Sequence, residues 1–102
     1  HGPAILVWNY SSGTVVEGNT FINCQREIMF GVYDRSPGDH TGGTIRNNMI
    51  VRDGAVFGDV GIAVFDSADT QVLHNTILLS GTYPYAIEYR YPGAVNVYIA
   101  NN

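Results

Sequence analysis

Short runs of alternating apolar and polar residues, broken by Asn, Gly and Asp, extend along the whole chain. Gly61–Ile62–Ala63–Val64–Phe65 puts Ile62 and Val64 on one face of an extended segment. Asp66–Ser67–Ala68–Asp69 reads as a polar turn, its aspartates suited to accepting nearby backbone N–H groups. Thr70–Gln71–Val72–Leu73–His74 is a second strand with Thr70 and Val72 inward, and Asn75 a tight corner. Thr76–Ile77–Leu78–Leu79 is a third strand.

The same order recurs. Further first strands are read at Ala4–Ile5–Leu6–Val7, Glu27–Ile28–Met29–Phe30 and Ala86–Ile87–Glu88–Tyr89, and further third strands at Thr20–Phe21–Ile22 and Met49–Ile50–Val51. Val16, Ile45, Val72 and Ile99 are each followed three places on by Asn19, Asn48, Asn75 and Asn102, at intervals of 29, 27 and 27 residues. A period of this length in short strands predicts stacked coils, not a globule with one central core. The expected fold is all-β: a parallel β-helix of roughly 3–4 coils, with residues 1–102 as one domain. Inward positions then form columns of like residues: Ile5, Ile28, Ile62, Ile87; Val16, Ile45, Val72, Ile99; and Phe21, Ile50, Ile77. Asparagine suits the corner because it tolerates positive φ, and its amide donates and accepts, so stacked copies can bond to one another.

Two connections exceed what the repeat requires, Gly31 to Gly42 and Asp53 to Val60. Insertions in a solenoid gather on one face, and that face is often where binding occurs. Both flank the first strands. The chain opens inside a first strand and stops on a corner asparagine, so the native molecule is expected to be longer, or its copies to stack end to end.

Composition narrows the partners. Charged residues make up 14%, and the formal charge is −4. All basic residues are Arg (26, 35, 46, 52 and 90), without the basic stripe that nucleic acid requires. No apolar run reaches the ~20 residues of a membrane-spanning helix. The single Cys24 excludes an internal disulfide.

Val15–Val16–Glu17–Gly18–Asn19–Thr20–Phe21, Gly61–Ile62–Ala63–Val64 and Gln71–Val72–Leu73–His74–Asn75–Thr76–Ile77 resemble the repeats of right-handed parallel β-helix proteins of the pectate-lyase-like superfamily. The resemblance covers nearly the whole chain. It implies a right-handed coil, an extracellular or periplasmic setting, and an acidic polysaccharide partner held along the first-strand sheet. It does not imply one activity, since the fold serves lyases, hydrolases, epimerases, tailspikes and adhesins. The adjacent aspartates and Gly-His-Gly of pectin hydrolases and the Asp-Pro-His-Glu of alginate epimerases do not occur, nor does any lysine.

Candidate chemistry lies on the outward positions of the first strands: Leu6 and Trp8, Glu27 and Met29, Ala63 and Phe65, Glu88 and Arg90. Glu88 and Arg90 leave one side of a strand, where a carboxylate beside a guanidinium could bind a uronate or fix an arginine that takes a sugar proton. Asp39 and His40, near Asp34 and Arg35 in the long loop, could form a general acid/base pair. Trp8, Tyr83, Tyr85 and Tyr91 could stack on sugar rings, with Arg35 as a further substrate contact. No cofactor is required, although Asp66 and Asp69, with Asp34, offer oxygen ligands for calcium. The alternative is a structural module without catalysis, in which self-association is the function.

Overall fold

A computed structural model describes residues 2–53, 58–80 and 85–102. These form a parallel β-solenoid of about three turns, measuring 38 × 24 × 17 Å. The first coil contains β1 (Pro3–Val7), β2 (Ser11–Ser12), β3 (Val15–Glu17) and β4 (Thr20–Ile22). The second contains β5 (Arg26–Phe30), β6 (His40–Thr41), β7 (Thr44–Arg46) and β8 (Met49–Arg52). The third contains β9 (Val60–Phe65), β10 (Ser67–Ala68), β11 (Gln71–Leu73) and β12 (Thr76–Leu79). A further part-turn supplies β13 (Tyr85–Arg90) and β14 (Tyr98–Ala100).

Equivalent strands stack into four parallel sheets: β1-β5-β9-β13, β2-β6-β10, β3-β7-β11-β14 and β4-β8-β12. The columns read from the sequence are in register: Ile5 pairs with Ile28, Ile28 with Ile62 and Ile62 with Ile87. Val16, Ile45, Val72 and Ile99 align likewise, as do Phe21, Ile50 and Ile77. Ile28, Ile45, Ile50, Ile62, Val64 and Val72 are completely buried. Full burial of such side chains is worth ~1.5–3 kcal/mol each, and the stacked strands satisfy the backbone groups that are buried with them.

Two details depart from the sequence reading. Asp66–Asp69 is not one loose turn, because Ser67–Ala68 pairs with His40–Thr41 as a two-residue strand, and each flanking aspartate sits at φ 55°. The corner asparagines do not carry the positive φ themselves. That backbone strain falls one place earlier, on Gly18, Asn47, His74 and Asn101 at φ 69°, 56°, 55° and 56°. The asparagine side chain is thereby turned inward. Asn48 Oδ1 accepts from the backbone N (3.1 Å) and Nδ2 (3.2 Å) of Asn19. Asn75 Oδ1 accepts the same two groups of Asn48 at 3.0 and 2.9 Å, and Asn102 Oδ1 those of Asn75 at 3.0 and 2.8 Å. Each Nδ2 also donates to a strand carbonyl; Asn48 bonds Val16 and Asn75 bonds Ile45, both at 3.0 Å. This is a continuous asparagine ladder.

Candidate functional site

The outward face of the first-strand sheet was expected to be open along its length. Its centre is closed instead. Glu27 and Ala63 are fully buried, and Met29, Ala63, Phe65 and Val60 form a second small apolar cluster packed against Val32 of the long loop. The loop lies on the sheet because Gly31 turns at φ 80°, so close to the Phe65 carbonyl that a Cβ would stand 1.6 Å from its oxygen. Two exposed regions remain on this face, one beside Trp8 after β1 and one on the edge strand β13.

Asp39 anchors the first. Its carboxylate is completely buried, and Oδ2 accepts the N–H groups of Val32 (2.6 Å) and Tyr33 (3.0 Å), while Oδ1 accepts that of Asn9 (2.7 Å). Arg35 Nε lies 3.0 Å from Oδ1. Burial alone would raise this pKa; the N–H groups of Tyr33, Val32 and Asn9 and the Arg35 guanidinium outweigh it and hold the carboxyl below its ordinary value. Asp39 therefore folds the loop back on itself and ties it to the first coil.

His40 points the other way. It is fully buried, with the Phe30 ring tilted at 53° and 4.6 Å away, Nδ1 3.0 Å from Ser67 Oγ and Nε2 3.0 Å from Thr14 Oγ1. Ser67 Oγ continues the chain to Thr70 Oγ1 at 2.9 Å. Burial lowers the His40 pKa, only partly opposed by the charge of Asp39, so the neutral ring is favoured. The adjacent pair read from the sequence as general acid and base thus diverges: Asp39 lies in the bend before β6 and bonds the loop, while His40, the first residue of β6, turns its side chain into the coil interior. With both its ring nitrogens and the Asp39 oxygens occupied inside the protein, neither residue is presented to a substrate.

Arg35 and Trp8 do come together, and with residues the sequence reading passed over. The Arg35 guanidinium carbon lies 5.6, 5.2 and 5.2 Å from the ring centres of Trp8, Tyr10 and Tyr33. Trp8 and Tyr33 are tilted at 50° with centres 5.7 Å apart. Arg35 Nη1 donates to Asn9 Oδ1 at 3.0 Å. The rings remain largely in solvent, at 41%, 58% and 55% exposure for Trp8, Tyr10 and Tyr33. The proximity of Tyr10 and Tyr33 to Trp8 and Arg35 in the chain was visible as Trp8-Asn9-Tyr10 and Tyr33-Asp34-Arg35, but the left-handed turn at Asn9 and Tyr10 that orients the first triplet carries no period. What joins the two triplets is the Asp39 carboxylate.

A cleft of about 270 Å³ adjoins this cluster, lined by Asp34, Arg35, Ser36, Pro37, Asp66 and the Pro92–Gly93 turn. Asp66, 1% exposed, accepts the Arg35 N–H through Oδ2 at 2.9 Å, and its Oδ1 lies where a Gly93 Cβ would stand. Asp69 Oδ1 accepts from Asn96 Nδ2 at 3.0 Å. Of the aspartates considered for calcium, Asp66 and Asp69 thus serve as hydrogen-bonded corner residues, and Asp34 is exposed. Among the described residues, no group of three or more His, Cys, Asp or Glu could hold a metal ion.

The second exposed region is on β13. Arg90 Nη2 donates to Glu88 Oε2 at 2.9 Å, and the guanidinium carbon lies 4.5 Å from the Phe65 ring centre. Glu88 raises the Arg90 pKa further above its ordinary value, which opposes use of this arginine as a base. Tyr91 packs edge-on against Phe65 at 6.0 Å. Tyr85 stands at the start of β13 in the row of Pro3, Arg26 and Val60, whereas Trp8 follows the last residue of β1. Tyr85 is therefore not part of the Trp8–Arg35 cluster. Tyr83 lies outside the described residues, as do residues 54–57 of the second long connection.

The class this architecture defines is a parallel β-solenoid with one polar, aromatic-rimmed flank. No family model, curated protein or solved structure matches the chain.

Proposed function

We propose that the chain is a polysaccharide-binding solenoid module that holds a glycan across the Trp8–Tyr10–Tyr33 rim and the cleft beside it. The observation that carries this reading is Arg35, held among three exposed rings at the edge of that cleft. Exposed aromatic faces offer stacking surface for the C–H face of a sugar, and the guanidinium offers fixed donors for its hydroxyls. Rings and arginine are positioned before a ligand arrives, which lowers the entropic cost of binding. The likeness of the repeats to pectate-lyase-like proteins supports a polysaccharide as the partner class. Interior placement of Asp39 and His40, and pairing of Arg90 with Glu88, favour binding over bond cleavage.

Retention on immobilised polysaccharides tests this. The Trp8→Ala/Tyr33→Ala variant should lose retention at least tenfold while keeping its circular dichroism spectrum, and Arg90→Ala should be retained as the parent is. Equal retention of the double variant would rule the reading out.

A second reading, an assembly module, draws on the opposite flank. Ile22, Val51 and Leu78 align across β4, β8 and β12, with Ile22 and Leu78 at 64% and 57% exposure, a row without charge. Concentration-dependent oligomers that Leu78→Ser dissolves would favour that reading.

A further inference from the structure

The charge around the aromatic rim bears on which glycans the site accepts, an inference that rests on the glycan-binding reading above. Both arginines on this face are already matched to carboxylates: Arg35 Nε to Asp39 Oδ1 at 3.0 Å, and Arg90 Nη2 to Glu88 Oε2 at 2.9 Å. The cleft beside the rings is lined by two more carboxylates, Asp34 and Asp66, and by no cation besides Arg35. One positive charge therefore stands against three negative ones, those of Asp34, Asp39 and Asp66. Asp39 and Asp66 are buried and bonded to backbone N–H groups, while Asp34 is exposed and makes no ion pair among the described residues.

A uronate entering this site would meet a net negative field with its one cation already engaged. A protonated amine meets the reverse. Asp34 is an exposed counter-ion at the cleft wall. Substrate charge is thus set by which acidic residues of the loop remain unmatched, and not by the arginine the sequence singles out.

We propose that the rim and cleft bind an amino-sugar glycan, its protonated amines directed at Asp34, and exclude polyuronates. This departs from the acidic partner that the repeat resemblance implies.

Calorimetry of the whole chain at low salt and about pH 6, with glucosamine, glucose and galacturonate oligomers of one length, tests the proposal. The glucosamine oligomer should bind about tenfold more tightly than the neutral one, with the uronate weakest, and added salt should shrink the gap. Asp34→Asn, a change at an exposed position, should reduce the ratio of glucosamine-oligomer to glucose-oligomer affinity several-fold. Galacturonate or glucose binding as tightly as glucosamine would overturn the charge assignment and leave the glycan reading standing. So would an unaltered preference in Asp34→Asn. Failure of all three oligomers to bind would overturn the glycan reading itself, and the charge assignment with it.

Discussion

Two corners of the solenoid hold their coils together by unlike means. Between β3 and β4, and at the equivalent bends of later coils, the same asparagine recurs four times and each copy repeats its neighbour's bonds. After the first-strand sheet the residues change from coil to coil with one repeat: Asn9 and Tyr10 turn the first, the register-matched aspartates Asp39 and Asp66 the next two, and Tyr91 the last. Backbone bonds still stack there, Tyr10 N to Asp39 O at 2.9 Å, Asp39 N to Asp66 O at 2.9 Å and Asp66 N to Arg90 O at 3.0 Å. Periodicity of the backbone therefore does not require periodicity of the side chains. The repeating corner uses its side chains for cohesion, whereas the variable one uses two buried carboxylates, Asp39 and Asp66, for cohesion and leaves Trp8, Tyr10 and Tyr33 exposed. Under the proposed glycan binding, specificity comes from the second.

The sharpest way to break this contrast is Asp39→Ala. Three N–H groups and the Arg35 guanidinium would lose their acceptor. Uncompensated, such losses cost roughly 1–3 kcal/mol per group, and partial rehydration of the loop brings the total to about 3–5 kcal/mol. For a domain of this size that lowers the melting temperature by roughly 15–25 °C. A change under 5 °C in a thermal melt would show that the loop is not held by this group.

Asn75→Ala should cost somewhat less, about 2–4 kcal/mol in urea unfolding, because the Asn48 N–H and amide and the Ile45 carbonyl lose partners inside a ladder. Asn19→Ala, at an exposed rung, should cost under ~1 kcal/mol. Equal effects at the two positions would mean that the ladder's burial does not matter.

Acid separates the corners more gently. The folded His40 has a pKa below its unfolded value of about 6.5, so the unfolded chain takes up the proton first and stability falls as pH drops below about 6.5. Asp39 is depressed from about 3.9, so its contribution is present above that pH and lost on further acidification through its folded pKa. Melting curves from pH 8 to 3 should show two successive declines, the first absent in His40→Asn and the second in Asp39→Asn. The ladder does not titrate and should contribute neither.

Much of the fold was legible because each coil repeats the same constraint. Ile5, Ile28, Ile62 and Ile87 identify one another by interval, and so do the four ladder asparagines. The short strand Ser67–Ala68 was not legible, since two residues carry no period and its flanking aspartates read as a turn. Met29, Ala63 and Phe65 alternate correctly to the outward face, but alternation says only which side they leave from, not that Val32 covers them. The candidate site was legible in part: Trp8 and Arg35 were named, while Tyr10 and Tyr33 were not, and Asp39–His40 was read as a pair although Asp39 closes the loop from a bend and His40 begins β6 with its ring inside the coil.

By itself the amino-acid sequence determined the coil: its period, its inward columns and its asparagine corner, because in a solenoid every residue's neighbours lie one repeat away and interval is equivalent to contact. The tertiary structure alone decided the aromatic rim, the closed centre of the face and the surplus of negative charge in the cleft. Those depend on how one long loop folds back across the coils, and that path is set by buried hydrogen bonds to Asp39 and Asp66; the two aspartates stand one repeat apart, but the loop N–H groups of Val32, Tyr33 and Arg35 that they accept lie within one insertion and carry no period.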